Sequence, residues 1–215
     1  MTFEQRLRAA EKHLAKADKK LAPVIKASGP CRISPHNDHY GELVGSIVGQ
    51  QLSAVAAGTI WRRVLELFDG RMPAPRQLVK IDDQKLRDVG LSWAKVGYVK
   101  DLARHILDGR LDLDHISTMP NEQLIEQLTA VKGIGEWSAH MFMMFGLGRL
   151  DILPTGDLGI RKAIMKLYGL EELPFPEQII SLAAKKGWHP YESVACWYLW
   201  QSLDNNPQKP PRHGA

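Results

Sequence analysis

Two short stretches of this sequence hold residues whose types and spacing suit chemistry. The first is Leu153-Pro-Thr-Gly-Asp157, where an aspartate follows a glycine at the start of an apolar-periodic run. Such an aspartate either caps a helix with its side chain or brings an ionised carboxylate to a reaction, and the helix dipole favours the charged form in both cases. An ionised carboxylate can stabilise a developing positive charge, or it can orient and deprotonate a water molecule. The second stretch is Leu128-Thr-Ala-Val-Lys-Gly-Ile-Gly-Glu-Trp-Ser-Ala139. Gly133 and Gly135 flank a single apolar residue, Ile134, which fits a tight turn between two helices. A turn opening directly into a helix leaves N–H groups aimed outward, and such a nest attracts a phosphate oxygen. Leu128, Val131 and Ile134 are spaced to clamp the two helices together.

The elements that must position these residues are helices, and the fold class is all-α. Thr2 with Gln5 forms a capping box for a charged first helix ending near Lys20. Leu21 to His39 reads as irregular, with Pro23, Gly29, Pro30 and Pro35 as breakers. Val44, Ile47 and Val48 share a helical face in Tyr40–Val48, which Gly49-Gln-Gln-Leu52 interrupts. Ser53 caps the next helix and Gly70 stops it, and Pro73 and Pro75 fill a loop. A short helix follows Asp82, and Ser92 caps another with Val96, Val99, Ala103 and Ile106 on one face. The hairpin pair covers Asn121 to Thr129 and Glu136 to about Phe145, with an extended crossing from Gly146 to Gly156. Helices near residues 157–168, 177–186 and 191–203 complete the chain, and the proline-bearing tail at 204–215 reads as disordered.

This arrangement resembles the helix-hairpin-helix plus Gly-Pro-Asp superfamily of DNA glycosylases, and within it most closely the type II DNA-3-methyladenine glycosylases. The likeness runs from about Leu43 to Leu203. It rests on Val48-Gly-Gln-Gln-Leu-Ser53, Gly90-Leu-Ser-Trp-Ala-Lys95, the hairpin, Pro154-Thr-Gly-Asp157 and Trp188-His-Pro-Tyr-Glu-Ser193, in that order. The resemblance implies two lobes: a central bundle over residues 41–150, and a second built from 1–40 with 151–203. It places the active site in the cleft between them. It also puts the catalytic carboxylate on Asp157 and implies hydrolysis of the N-glycosidic bond of alkylated purines, 3-methyladenine and 7-methylguanine, in duplex DNA. Superfamily members that also cleave the backbone carry a lysine where this chain has Trp137. An indole has no amine for a Schiff base, so the expectation is a monofunctional enzyme without lyase activity.

Trp137 and Tyr191 are the candidates for the base pocket, since an aromatic face stacks on a purine and favours a cationic one. The alternative is that they are core or lobe-interface residues, as Trp61 and Trp188 read, while Trp197 and Trp200 read as helical core. Gln50, Gln51 and Leu52 are either a polar inter-helix turn or a wedge filling the hole left by an everted nucleotide, with Gln51 the first choice by resemblance. Ser92 and Trp93 match a second probe of the minor groove, and Lys95 is a candidate phosphate contact. Lys132 is a phosphate contact or simply solvated. The resemblance also implies an alkali ion, Na or K, held by the carbonyls of Thr129, Val131 and Gly133. Glu192 departs from the family, which often has arginine beside the equivalent of Tyr191.

Composition narrows the classes. A net charge of +4 and a pI near 9.0 permit nucleic-acid binding without requiring it. Two cysteines, Cys31 and Cys196, cannot hold a four-cysteine iron–sulfur cluster, no zinc spacing occurs, and no cofactor is required. Cys196 reads as a small core residue in an apolar helix. The amino terminus lacks an apolar signal core and no run is long enough to span a bilayer, so the expectation is a monomeric cytoplasmic protein of bacterial type, acting at the nucleoid. Two other readings stand beside the leading one: a glycosylase for another damaged or mismatched base, and a non-catalytic helix-hairpin-helix DNA-binding protein. An acidic residue such as Asp157 argues against the last, because backbone binding alone does not call for it.

Overall fold

The structure, a computed structural model, describes residues 1–203; the expectation for the tail at 204–215 lies outside them. Among the described residues the regular structure is entirely helical: α1 (Phe3–Ala17), α2 (Leu21–Ser28), α3 (His39–Gly49), α4 (Ala54–Glu66), α5 (Pro75–Lys80), α6 (Asp83–Asp88), α7 (Trp93–Leu107), α8 (Asn121–Thr129), α9 (Glu136–Met141), a π-helical segment (Phe142–Gly146), α10 (Leu158–Tyr168), α11 (Pro176–Lys185) and α12 (Glu192–Leu203). None of these helices is long and apolar enough to cross a membrane.

The chain divides into two compact units. Among the described residues, one runs over residues 36–142, and the other joins residues 1–35 to residues 143–203. The division falls at 35 and 142, where the sequence placed it at 40 and 150. Residues 143–150 go with the chain ends because Leu150 is held there, its carbonyl accepting the Ser193 N–H at 2.9 Å, while Ser193 Oγ accepts the Ile152 N–H at 3.0 Å.

The unit of the chain ends is centred on α12. Val194, Ala195, Cys196, Trp197, Tyr198 and Leu199 are all buried on it, with Leu7 and Leu14 of α1, Leu21 of α2 and Ile160 and Ile164 of α10 also in the core. Each such large aliphatic side chain contributes about 1.5–3 kcal/mol through burial. A fully buried aspartate, Asp18, sits at the end of α1. It accepts from the Lys20 and Leu21 N–H groups, from Trp188 Nε1 at 2.9 Å and from the Tyr168 hydroxyl. Those backbone bonds explain α2, which the sequence misread as irregular. Asp18 satisfies the orphan donors of its first turn, and Pro23 occupies a first-turn position where no N–H is needed.

In the central unit, α7 packs against α3, α5 and α6 through Val96, Val99, Leu102 and Ala103. Ser53 and Ser92 cap α4 and α7 through the Ala56 and Lys95 N–H groups, as the sequence indicated. Pro75 was read as a loop residue, yet it begins α5, because proline at the first helical position loses no intrahelical hydrogen bond. α8 and α9 form the hairpin, with Leu128, Val131 and Ile134 buried.

Candidate functional site

Asp157 is the N-cap of α10. Its Oδ1 accepts the Ile160 N–H at 2.7 Å and the Trp200 Nε1–H at 2.9 Å. The first bond is the ordinary reward of an aspartate cap. The second comes from α12 and fixes the carboxylate against rotation. Asp157 is half-buried, and its neighbours Gly156 and Leu158 are exposed. Trp200 is held in turn by Phe145, whose ring centroid lies 6.1 Å away at a 33° tilt. The sequence placed Trp200 in the core. It is half-buried, and its N–H donates to the Asp157 carboxylate. Nothing local could have signalled this, since the pair is 43 positions apart.

Tyr191 lies two residues before the buried stretch of α12, half-buried, with its ring edge-on to His13 at 5.2 Å. Glu192 begins α12. His189 Nδ1 donates to its Oε1 at 3.0 Å, while Oε2 is buried with no hydrogen-bond partner. One turn on, Cys196 is fully buried; burial, with a smaller contribution from the Asp157 and Glu192 charges, pushes its thiol well above the usual range, so it is an inert core group.

In the central unit the structure brings three predicted residues together. Gln50 Nε2 donates to the Gly133 carbonyl at 2.7 Å, and Lys95 Nζ donates to the Val48 and Gln50 carbonyls at 2.8 and 2.6 Å. The end of α3 leaves carbonyls without helical partners and carries the negative end of the dipole, which draws the ammonium in. Desolvation lowers the Lys95 pKa. Gln50, read as either part of a polar inter-helix turn or a wedge, and Lys95, a candidate phosphate contact, brace the turn after α3 against the hairpin. Gln51, at the tip, is exposed and adopts φ of 59°, a left-handed conformation rare for a side chain of its size. Leu52, Trp93 and Trp137 are exposed large apolar groups, and Arg87 lies 5.2 Å from the centre of the Trp93 ring.

The hairpin turn is anchored from behind. The Lys132 N–H donates to Asp101 Oδ2 at 2.9 Å, and the Ile134 N–H to the Val131 carbonyl at 3.1 Å. The Lys132 side chain is exposed. Gly133 has φ of 86°, and a Cβ there would overlap the Tyr98 ring. Gly135 caps α9 without a side-chain hydrogen bond to its first turn. The Gly133 carbonyl already accepts from Gln50 and has a second lone pair, so the carbonyl set of Thr129, Val131 and Gly133 remains compatible with a weakly held monovalent ion.

A buried acidic group also escaped the sequence reading. Glu42 of α3 is half-buried, its Oε2 is buried without a partner, and desolvation raises its pKa. The Tyr40 hydroxyl is likewise buried without a partner, and its pKa is raised by the same cause. The available signal was an acidic residue immediately before the buried pair Leu43-Val44.

Comparison with known proteins places this geometry. The family described as HhH-GPD superfamily base excision DNA repair protein matches residues 44–190. An alkylbase DNA glycosidase-like protein of Schizosaccharomyces pombe is 32% identical over 94% of this chain and 96% of its own length. DNA-3-methyladenine glycosylase 1 of the same yeast is 31% identical over 96% and 94%. Among solved structures, a DNA-3-methyladenine glycosidase from Bacillus halodurans superposes with a TM-score of 0.82 at 39% identity, covering 91% of this chain and 89% of that one. The S. pombe 3-methyladenine DNA glycosylase in complex with abasic DNA gives 0.75 at 30% identity, over 90% and 95%.

Proposed function

Because the chain belongs to the HhH-GPD superfamily of base excision DNA repair proteins, we propose that it is a monofunctional DNA glycosylase, excising alkylated purines such as 3-methyladenine and 7-methylguanine from duplex DNA. The observation that carries this reading is the Asp157 carboxylate, clamped at the head of α10 by Ile160 N–H and Trp200 Nε1–H on a residue that is only half-buried. Relatives that share most of the chain's length bear the names of alkylbase and 3-methyladenine glycosylases.

The reaction breaks the N–C1′ bond. The base leaves with the bonding pair, and positive charge develops on the sugar. A carboxylate ~4 Å away at an effective dielectric of about 20 stabilises that charge by roughly 4 kcal/mol, on the order of a thousandfold in rate. Water then adds its oxygen to C1′ and releases a proton, to the carboxylate or to solvent. A purine alkylated at N3 or N7 is already cationic and leaves as a neutral base without being protonated. Trp137 and Tyr191 offer the aromatic faces such a base stacks on, with about 0.5–2 kcal/mol favouring the cation. Trp137 also stands where a lyase has its lysine, so no Schiff base forms.

On the DNA, the exposed Gln51 fills the gap of the everted nucleotide, with Leu52 beside it, and its strained backbone pre-sets the turn. Trp93, following Ser92, probes the minor groove, and the first turn of α9 with Lys132 holds a phosphate. A Na or K ion on the Thr129, Val131 and Gly133 carbonyls would orient the neighbouring N–H groups toward that phosphate. The test is incubation with methylated duplex DNA and chromatography of the released bases. Release of 3-methyladenine and 7-methylguanine is expected, and intact recovery of both lesions would overturn the reading.

A further inference from the structure

Successive residues of α12 face different ways. Trp200 turns its indole to Asp157. Gln201, about 100° further round the helix, lines a cavity of about 490 Å³ between α2, α10 and α12. Gln201 is 3% exposed, and both atoms of its amide, Oε1 and Nε2, are buried without a hydrogen-bond partner. Buried amides are normally bonded at both ends, because an unmade bond loses the hydration that the group had in water. Gln201 therefore holds a donor and an acceptor, in one plane, that no described residue uses. Most of the remaining wall is apolar: Pro23, Val24 and Ala27 come from α2, and Leu167 from α10. Lys166 completes it, with Lys162 one turn earlier on the same helix. Both lysines are exposed, and neither has an ion-pair partner among the described residues. An apolar wall with a few placed polar groups, at this volume, is the usual make-up of a small-molecule site.

We propose that this cavity binds an adenine mononucleotide, with the base against the apolar wall, its donor–acceptor edge on the Gln201 amide and its phosphate on Lys166. The inference does not rest on the proposed function, since none of these residues takes part in it. The base edge selects adenine. Adenine places an amino donor beside a ring-nitrogen acceptor, which a glutamine amide matches with two hydrogen bonds. The same edge of guanine carries two acceptors, which call for an arginine or lysine instead. A pyrimidine would cover less of the apolar wall. The last side-chain torsion of glutamine is broad, so a small turn presents the amide to the cavity. The ammonium of Lys166 then acts as a point charge on the phosphate.

The test is calorimetric titration of the full chain with adenosine 5′-monophosphate, alone and in the presence of saturating abasic-site duplex. Adenosine, guanosine 5′-monophosphate and inorganic phosphate are the comparison ligands. Saturable binding with a dissociation constant below about 1 mM is expected, and it should persist with DNA bound. Gln201→Met, similar in shape and without the amide, should weaken that binding by about 5- to 150-fold. With its two unpaired groups gone, the same variant should melt about 2–8 °C higher, and alkylbase release should be unchanged. Lys166→Ala should reduce the affinity for the nucleotide to that for adenosine. Several results would overturn the inference: no saturable binding up to about 10 mM, guanosine monophosphate or phosphate alone binding as tightly, or displacement of the nucleotide by DNA, which would put it in the DNA-binding site. Native affinity in Gln201→Met, or a folded Gln201→Met that melts no higher than the native protein, would do the same. Should Gln201→Met fail to fold, Lys166→Ala, at an exposed position, decides: undiminished affinity for the nucleotide in that variant removes the proposed site.

Discussion

Replacing Gly133 by alanine should damage both the hairpin and DNA binding. Its backbone has φ of 86°, which costs an L-residue about 1–2 kcal/mol. The alanine recovers roughly 0.4–1 kcal/mol by restricting the unfolded chain, so backbone conformation alone leaves about 1 kcal/mol. The larger share is steric. The new Cβ would overlap the Tyr98 ring, which must move out of its half-buried seat on α7, and such overpacking costs about 1–3 kcal/mol. Together the loss is roughly 2–4 kcal/mol, equivalent to a fall in melting temperature of about 5–15 °C for a chain of this size. The displaced turn also carries the carbonyl that Gln50 grips and the N–H that Asp101 grips, so affinity for abasic-site duplex should drop about tenfold or more. Denaturant melts and fluorescence anisotropy measure the two effects. Adding Tyr98→Ala makes a double-mutant cycle, and the overlap predicts a favourable coupling of about 1–3 kcal/mol. Gly133→Ala with native stability and native affinity, or a cycle with no coupling, would refute this account of the turn.

Three further outcomes follow from the geometry. Gln51→Ala should leave stability within about 1 kcal/mol of native, since the side chain is exposed. It should slow base release from duplex more than from single strands, where no stack has to be refilled; equal effects on the two substrates would exclude the wedge. Glu42→Gln should stabilise the protein at neutral pH. Desolvation raises the folded pKa of Glu42, so its contribution to stability is present below the unfolded pKa and is lost as pH rises through the folded value; a gain confined to acid would reverse the assignment. Borohydride added during turnover should trap no covalent protein–DNA adduct, because position 137 offers no amine, and an adduct would overturn the monofunctional assignment.

Much of the site was legible in the sequence because it is made of local signals. A cap needs only its own helix, so Ser53, Ser92, the Thr2 box and Asp157 could be read from a few neighbouring residues. The Gly-Ile-Gly turn was legible for the same reason, although its contact with Tyr98 was not. Prolines were ambiguous. Pro23 and Pro75 stand where a helix begins, and the same residue reads equally well as the end of one. What escaped were the partners distant in sequence. Lys95 and Gln50 look like groups reaching outward until the carbonyls at the end of α3 and at Gly133 claim them, 45 and 83 positions away. Trp200 looks like core until its indole N–H is found on Asp157. Glu42 carries no motif; only its burial without a hydrogen-bond partner distinguishes it.

The most direct test of the central claim is the single-turnover rate of alkylbase release from methylated duplex by Asp157→Asn, which preserves the shape of the cap and removes its charge. A loss on the order of a thousandfold is predicted, with the variant still folded and still binding abasic-site DNA. Release at the native rate would contradict the account, because the negative charge at the head of α10 would then play no part in breaking the glycosidic bond.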